Sequence, residues 1–158
     1  MFDSTTAIHM SATKLQASCP HRWTDRAVRV RRRHPRILIV DDNSNAAEAL
    51  AAYLECAPFK VLAVYGGAAA VAAACIWKPD ALLLDISMPE MDGFSVARAL
   101  RHNAQTSSMV IVALTAHDDV FVKQRAAKGD FDGYCQKGLM LQTLTALLES
   151  FIRSEMSA

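Results

Sequence analysis

The stretch Ile37-Leu-Ile-Val-Asp-Asp42 decides the fold of this chain. Four apolar residues follow one another without a polar interruption and stop at two acids, which is typical of a strand buried on both faces. The stretch Ala81-Leu-Leu-Leu-Asp85 repeats the pattern and again ends at an acid. Two such strands in a chain of 158 residues indicate a central sheet that is covered on both sides.

Helical and strand patterns alternate on either side of these two stretches. The predicted strands are 37–40, 59–64, 81–84, 109–114 and 133–136, and the predicted helices are 45–56, 68–77, 94–102, 120–128 and one after Lys137. Five strand–helix units predict an α/β fold with a parallel sheet and right-handed crossovers. Ligands of such sheets bind beyond the carboxyl ends of the strands, so the residues at those ends are the candidates for a site.

Polar side chains stand at four of the predicted strand ends: Asp41, Asp42, Asp85, Thr115 and Lys137. Carboxylates that lie close together repel one another unless a cation neutralises them, and Mg²⁺ prefers such oxygen ligands. A carboxylate beside the ion can attack phosphorus to form an acyl phosphate, and a hydroxyl and an ammonium can stabilise the phosphoryl oxygens. The pattern therefore favours a phosphoryl-transfer site.

Each of these residues also has a purely structural interpretation. A single Asp at a strand end is usually a helix cap or a turn residue. Thr115 is a candidate cap for the next helix, with Asp118 three residues later, and Lys137 is a candidate surface lysine. We favour the site because five such groups are expected at one edge of the sheet.

The chain resembles a two-component response-regulator receiver domain over roughly residues 36–153. The blocks that carry the resemblance are Ile37-Leu-Ile-Val-Asp-Asp42, Leu82-Leu-Leu-Asp-Ile-Ser-Met-Pro-Glu-Met-Asp-Gly93, Ala113-Leu-Thr-Ala116 and Gly133-Tyr-Cys-Gln-Lys137. The resemblance implies a flavodoxin-like, doubly wound α/β fold. Its five parallel strands would have the order 2-1-3-4-5, with helices on both faces.

The resemblance also implies a phosphoacceptor switch that works in a phosphorelay. Asp85 would accept a phosphoryl group from a histidine kinase or a histidine phosphotransfer protein. Asp42, Asp85 and the backbone carbonyl of Ser87 would hold Mg²⁺ or Mn²⁺, with Asp41 acting largely through water. Thr115 and Lys137 would each bond a phosphoryl oxygen.

Tyr134 occupies the position of the aromatic switch residue in receivers. The resemblance implies that the phosphoryl group draws Thr115 inward and that Tyr134 turns into the space that opens. The last strand and its flanking helices would then present a changed surface to a downstream protein. A second copy of the chain, in a phosphorylation-dependent homodimer, is a further candidate partner. The alternative for Tyr134 is an ordinary half-buried strand tyrosine.

The chain departs from the family pattern at Gly138, since receivers usually carry proline after the lysine, often through a cis peptide. A cis bond without proline costs about 2.5–4 kcal/mol, so we expect a trans bond and a rearranged loop here. This substitution raises the question of where Lys137 lies.

The charge is divided unevenly along the chain. Residues 1–36 carry eight basic and two acidic groups, a net of +6, and the remainder carries nine and fourteen, a net of −5. We interpret residues 1–35 as a flexible basic arm, 36–153 as the receiver domain and 154–158 as a tail. A solvated arm is favoured over one that contacts nucleic acid, because no DNA-binding module accompanies it.

The sequence predicts neither a membrane span nor a secretion signal, so we expect a cytoplasmic protein. We also expect a switch that is not a turnover enzyme and has no output domain of its own. Phosphatases of the haloacid-dehalogenase type need an Asp two residues after the nucleophile, and Ser87 stands there. The remaining alternatives are a receiver-fold binding module that works without phosphorylation and an arm that contacts nucleic acid.

Overall fold

The computed structural model describes residues 19–138 and 141–155. The strands are β1 His21–Arg22, β2 Val28–Val30, β3 Arg36–Val40, β4 Lys60–Val64, β5 Ala81–Asp85, β6 Val110–Thr115, β7 Gly133–Gln136 and β8 Ile152–Ser154. The helices are α1 Ser44–Glu55, α2 Gly67–Trp77, α3 Gly93–Arg101, α4 Asp119–Arg125 and α5 Leu141–Phe151. The predicted α/β fold class is confirmed.

Six strands form the main sheet in the order β1-β7-β6-β5-β3-β4. The five strands β4-β3-β5-β6-β7 are mutually parallel and lie in the predicted 2-1-3-4-5 order when they are counted alone. The sixth strand, β1, was not predicted and pairs antiparallel with β7. A separate two-stranded parallel sheet joins β2 to β8.

Alternate residues of the parallel strands supply two apolar cores, one on each face of the sheet. On one face Leu38 and Leu82 pack with buried residues of α2, α3 and α4. On the other face Ile37 and Leu83 pack with buried residues of α1 and α5. Because strand side chains alternate between faces, the continuous apolar runs of the sequence fill both cores at once.

Element ends differ from the predicted ones by one residue in most places. The largest difference is in α4, which ends at Arg125 instead of 128 because Ala126 adopts an extended conformation with ψ 142°. Among the described residues no helix is long and apolar enough to cross a membrane.

The prediction of a flexible arm over residues 1–35 is wrong for residues 20–30, which are packed on the domain, whereas residues 31–34 are exposed. We call residues 19–30 the strap. It contributes β1 to the main sheet and β2 to the small one, and Val30 is 2% exposed. The first eighteen residues of the predicted arm lie outside the described part of the chain.

Four arginines between residues 19 and 35 form ion pairs within the chain: Arg26, Arg29, Arg31 and Arg32. Arg26 Nε lies 2.8 Å from Asp132 Oδ1, and Arg31 Nε lies 2.7 Å from a carboxylate oxygen of Glu155. The segment is therefore held by the acidic domain through its charge as well as through its strands. The predicted domain end at 153 is also too early, because β8 continues to Ser154 and the Glu155 amide donates to the carbonyl of Val30.

Candidate functional site

The parallel strands end at one edge of the sheet and bring the predicted site residues there. Asp85 is the last residue of β5, and across the ladder it lies opposite Leu114, the neighbour of Thr115. Asp41 and Asp42 follow β3, and Lys137 follows β7. Neither Asp41 nor Thr115 is a helix cap, because Asn43 caps α1 and Asp118 caps α4. Neither of these two side chains is therefore used for helix capping, and both can contribute to a site at the edge of the sheet.

The three carboxylates form one compact acidic cluster. Single carboxylate oxygens of Asp41, Asp42 and Asp85 all lie within 4.8 Å of one another. Asp41 and Asp85 are buried, at 2% and 3% exposure, whereas Asp42 is exposed. The cluster is therefore open to solvent on one side and carries three acids in a small volume.

Lys137 is the cation that the chain itself provides for this cluster. Its Nζ lies 2.7 Å from Asp41 Oδ2 and 3.1 Å from Asp85 Oδ2. Burial opposes the charge of Lys137, but the hydrogen bonds to both carboxylates outweigh it and raise the pKa of the ammonium. The described residues contain no cis peptide bond, and Gly138 has φ +83°. Glycine in place of the usual proline is thus compatible with a lysine that reaches both acids.

Asp85 is a buried acid whose surroundings oppose its charge. Burial, together with the smaller effect of the nearby Asp41 charge, raises its pKa from 3.8 to about 6 against the opposing effect of Lys137. The Ser87 amide donates to Asp85 Oδ1 at 3.1 Å and orients the carboxylate. A buried acid that prefers its neutral form gains when a cation or a covalent group removes its charge.

The loop after β5 leaves no space for a side chain at Gly93. A Cβ atom there would lie 2.4 Å from the carbonyl oxygen of Asp85. The Gly93 amide also donates to the carbonyl of Ile86 at 3.0 Å. Because of this close approach, α3 begins directly against the end of β5, and the backbone that carries Asp85 is held in place.

Residues 115–117 connect the acidic cluster to Tyr134. Thr115 is buried, and its Oγ1 accepts a hydrogen bond from the His117 amide at 3.1 Å. The His117 carbonyl accepts the Tyr134 hydroxyl at 2.7 Å, and the His117 ring lies 3.1 Å from Ser87 Oγ. His117 is exposed, and it joins both sides of the site.

Tyr134 is buried completely, at 0% exposure, so the half-buried alternative is wrong. Burial raises the pKa of its hydroxyl to about 12, with further contributions from Asp119 and Asp118. Its ring is stacked on Trp23 of the strap, with centroids 5.7 Å apart and an interplanar angle of 16°. This contact was not predicted from the sequence, although a lone tryptophan in an otherwise polar segment was a signal for it.

Comparisons with known proteins show what the chain is similar to. A family model described as the response regulator receiver domain matches residues 37–149. The transcriptional regulatory protein PrrA of Mycobacterium tuberculosis is 34% identical over 119 residues, 75% of this chain and 50% of that protein. The chain thus spans about half the length of such relatives. Protein PilH of Pseudomonas aeruginosa is 35% identical over 117 residues, 72% of this chain and 97% of that protein.

Solved structures are similar as well. The chemotaxis protein CheY4 of Vibrio cholerae matches with a TM-score of 0.70 and 26% identity, over 75% of this chain and 98% of that one. The receiver domain of the sensor histidine kinase PA1611 of Pseudomonas aeruginosa matches with a TM-score of 0.69 and 27% identity, over 75% and 97%. In that structure a magnesium ion is coordinated in the active site cleft.

Proposed function

The chain belongs to the response regulator receiver domain family, and on that basis we propose that Asp85 is the residue that accepts a phosphoryl group. The observation that carries the proposal is the compact cluster of three carboxylates faced by Lys137. No other aspartate of the described chain combines burial, a raised pKa and a position at the carboxyl end of a central strand.

The donor would be a phosphohistidine of a kinase or of a phosphotransfer protein, the partner class with which receiver domains interact. A carboxylate oxygen of Asp85 attacks phosphorus, the new O–P bond forms and the N–P bond of the phosphohistidine breaks. The imidazole nitrogen keeps the electron pair and takes a proton from solvent. Hydrolysis by water later regenerates the Asp85 carboxylate.

The donor set of the cluster fits a hard divalent cation. Three carboxylates stand against one ammonium, so negative charge remains after Lys137 is counted, and carboxylate oxygens are the ligands that Mg²⁺ prefers. We assign Asp42, Asp85 and the Ser87 carbonyl as ligands, with Asp41 acting through water. When bound, Mg²⁺ would neutralise the charge that develops on the transferring phosphoryl oxygens.

The chain's own residues perform the remaining tasks. Lys137 would shift its ammonium from the carboxylates to a phosphoryl oxygen, and the Thr115 hydroxyl would donate to another. The Ser87 amide holds the Asp85 carboxylate in place. We propose a stoichiometric switch and not a turnover enzyme, because the acceptor is a side chain of the protein itself.

Phosphorylation is tested with acetyl phosphate as a small phosphodonor. The full chain, incubated with acetyl phosphate and Mg²⁺, is expected to gain one phosphoryl group that is stable in acid and labile in base. Asp85→Asn should abolish the gain. Asp92→Asn, a change in the same loop at an exposed helix cap, should leave it intact. A wild-type protein that stays unmodified would favour a receiver-fold module that works without phosphorylation.

A downstream protein is the second partner class of the proposal. We expect its binding surface on the last strand of the parallel sheet and the flanking helices. The strap covers part of that surface, because β1 occupies the outer edge of β7. The target surface therefore includes the strap or requires it to move.

A further inference from the structure

The strap lies outside the residues matched by the family model, yet it packs directly on the switch tyrosine. His21 pairs with Tyr134 in the β1–β7 ladder, and the Trp23 ring is stacked on the Tyr134 ring. The Trp23 indole also donates to His21 Nε2 at 2.9 Å, and Lys123 Nζ lies 5.2 Å from the centre of the Trp23 ring. The strap thus forms one wall of the Tyr134 pocket.

A buried carboxylate anchors the strap next to this wall. Asp132 is 0% exposed, and its side chain accepts hydrogen bonds from Thr24 Oγ1 at 2.7 Å and from Arg26 Nε at 2.8 Å. Its backbone carbonyl accepts the amides of Trp23 and Thr24. Asp132 lies two residues before Tyr134, so the anchor and the aromatic stack together hold the start of β7. The contacts with Asp132 therefore fix the position of Trp23 beside Tyr134.

A continuous set of hydrogen bonds runs from Tyr134 to the phosphoacceptor. The Tyr134 hydroxyl binds the His117 carbonyl, and the His117 amide binds Thr115 Oγ1. The His117 ring contacts Ser87 Oγ, and the Ser87 amide binds Asp85. Residues 115–117 cannot leave this arrangement without changing the hydrogen bond that holds Tyr134. A shift of Tyr134 in turn changes its stack on Trp23.

We propose that the strap is an allosteric element whose docking through Trp23 and the phosphorylation of Asp85 favour each other. The proposal rests on the proposed function, because it takes Asp85 as the phosphoacceptor. Its physical basis is that the Trp23 stack keeps Tyr134 buried and bonded to His117. The docked strap thereby holds residues 115–117 in the place where Thr115 can reach a phosphoryl oxygen.

Linkage requires the effect to be reciprocal: if docking promotes phosphorylation, phosphorylation must strengthen docking by the same factor. A coupling at the lower end of the usual range changes each equilibrium about five-fold. Trp23 is a positioning residue in this scheme, since it touches neither Asp85 nor the phosphoryl group.

The first measurement is the rate at which the full chain is labelled by acetyl phosphate and Mg²⁺. Trp23→Ala should lower the rate by up to about five-fold, the loss reached when the transition state of phosphoryl transfer feels the full coupling, and Trp23→Phe, which keeps an aromatic ring on Tyr134, should restore most of it. Arg29→Ala is the matched control, because Arg29 belongs to the strap but pairs with Glu155 on the far side from Tyr134. It should react at the wild-type rate.

The second measurement is hydrogen exchange of the strap amides. If Trp23 had a purely structural role, phosphorylation would not change their exchange rates. The Trp23 and Thr24 amides should exchange about five-fold more slowly after acetyl phosphate is added, and Asp85→Asn should show no such change. The coupling is overturned if Trp23→Ala is labelled at least as fast as the wild type and phosphorylation does not change the exchange of the strap amides. A labelled wild type would in that case still support Asp85 as the phosphoacceptor. A wild type without label overturns both.

Discussion

Replacing Asp85 by asparagine should stabilise the protein when no divalent cation is present. The change keeps the shape of the side chain and removes a charge that is buried at 3% exposure beside the Asp41 carboxylate. Asparagine imitates the protonated acid, which is the form that burial favours at this position. The gain should therefore depend on pH in the way that Asp85 titrates.

The magnitude follows from the pKa of Asp85. A rise from 3.8 to about 6 corresponds to about 3 kcal/mol of lost stability once the acid is ionised in both states. Between these two pH values the folded state still holds a proton that the unfolded state has released. The free energy of unfolding contributed by Asp85 is thus highest below about pH 4 and falls as the pH rises to about 6. Since solvent reaches the cluster, we expect a gain of about 1–3 kcal/mol at pH 7.5.

Urea denaturation of the two proteins in a chelating buffer, at a series of pH values, measures this difference. The gain of Asp85→Asn should be present at pH 7.5 and should vanish toward pH 4. At a concentration one hundred times its dissociation constant from the wild type, Mg²⁺ should stabilise the wild type by about 2.7 kcal/mol. It should stabilise the variant much less. Asp118→Asn is the control, because Asp118 is an exposed helix cap and asparagine caps equally well. A variant that is less stable than the wild type at pH 7.5 would show that the Asp85 charge does not destabilise the folded protein.

Three further changes test other parts of the structure. Gly93→Ala places a Cβ 2.4 Å from the carbonyl oxygen of Asp85 and should lower the unfolding free energy by about 1–3 kcal/mol in urea; no change would mean that the loop relaxes freely. Asp132→Ala removes the partner of two guanidinium groups and should lower the unfolding free energy by about 3–5 kcal/mol. Glu155→Gln, at an exposed pair, should lower it by less than about 1 kcal/mol. Equal losses would contradict the buried anchor. Asp42→Asn should weaken Mg²⁺ binding, measured by calorimetry, about 10–100-fold or more, and unchanged affinity would remove Asp42 from the ligand set.

The central sheet and the acidic edge could be predicted because they depend on local patterns. The continuous apolar runs that end at Asp41 and Asp85 require a strand covered on both faces, and parallel strands necessarily end at one edge. The register and the order of the strands needed the family resemblance, since periodicity does not identify the neighbour of a strand.

The strap could not be predicted in the same way, because its strands are two and three residues long and its partners are distant in sequence. Arg26 and Asp132 are 106 residues apart, so no local pattern relates them. The alternation Val28-Arg-Val30 was the one local signal, with Val30 buried and Arg29 exposed. Three residues are too few to indicate a strand against the background of a basic segment.

The electrostatic surroundings of two buried aspartates explain why one is structural and the other is a candidate for chemistry. Asp132 accepts four hydrogen bonds, two of them from the guanidinium groups of Arg26 and Arg101, so its charge is matched and its oxygens are occupied. Asp85 shares the single ammonium of Lys137 with Asp41 and has Asp42 beside it. Burial is the same in both places, and what differs is the balance of charge. An excess of acid over base, held at a sheet edge that is open on one side, is what gives a cation and a phosphoryl group a reason to bind.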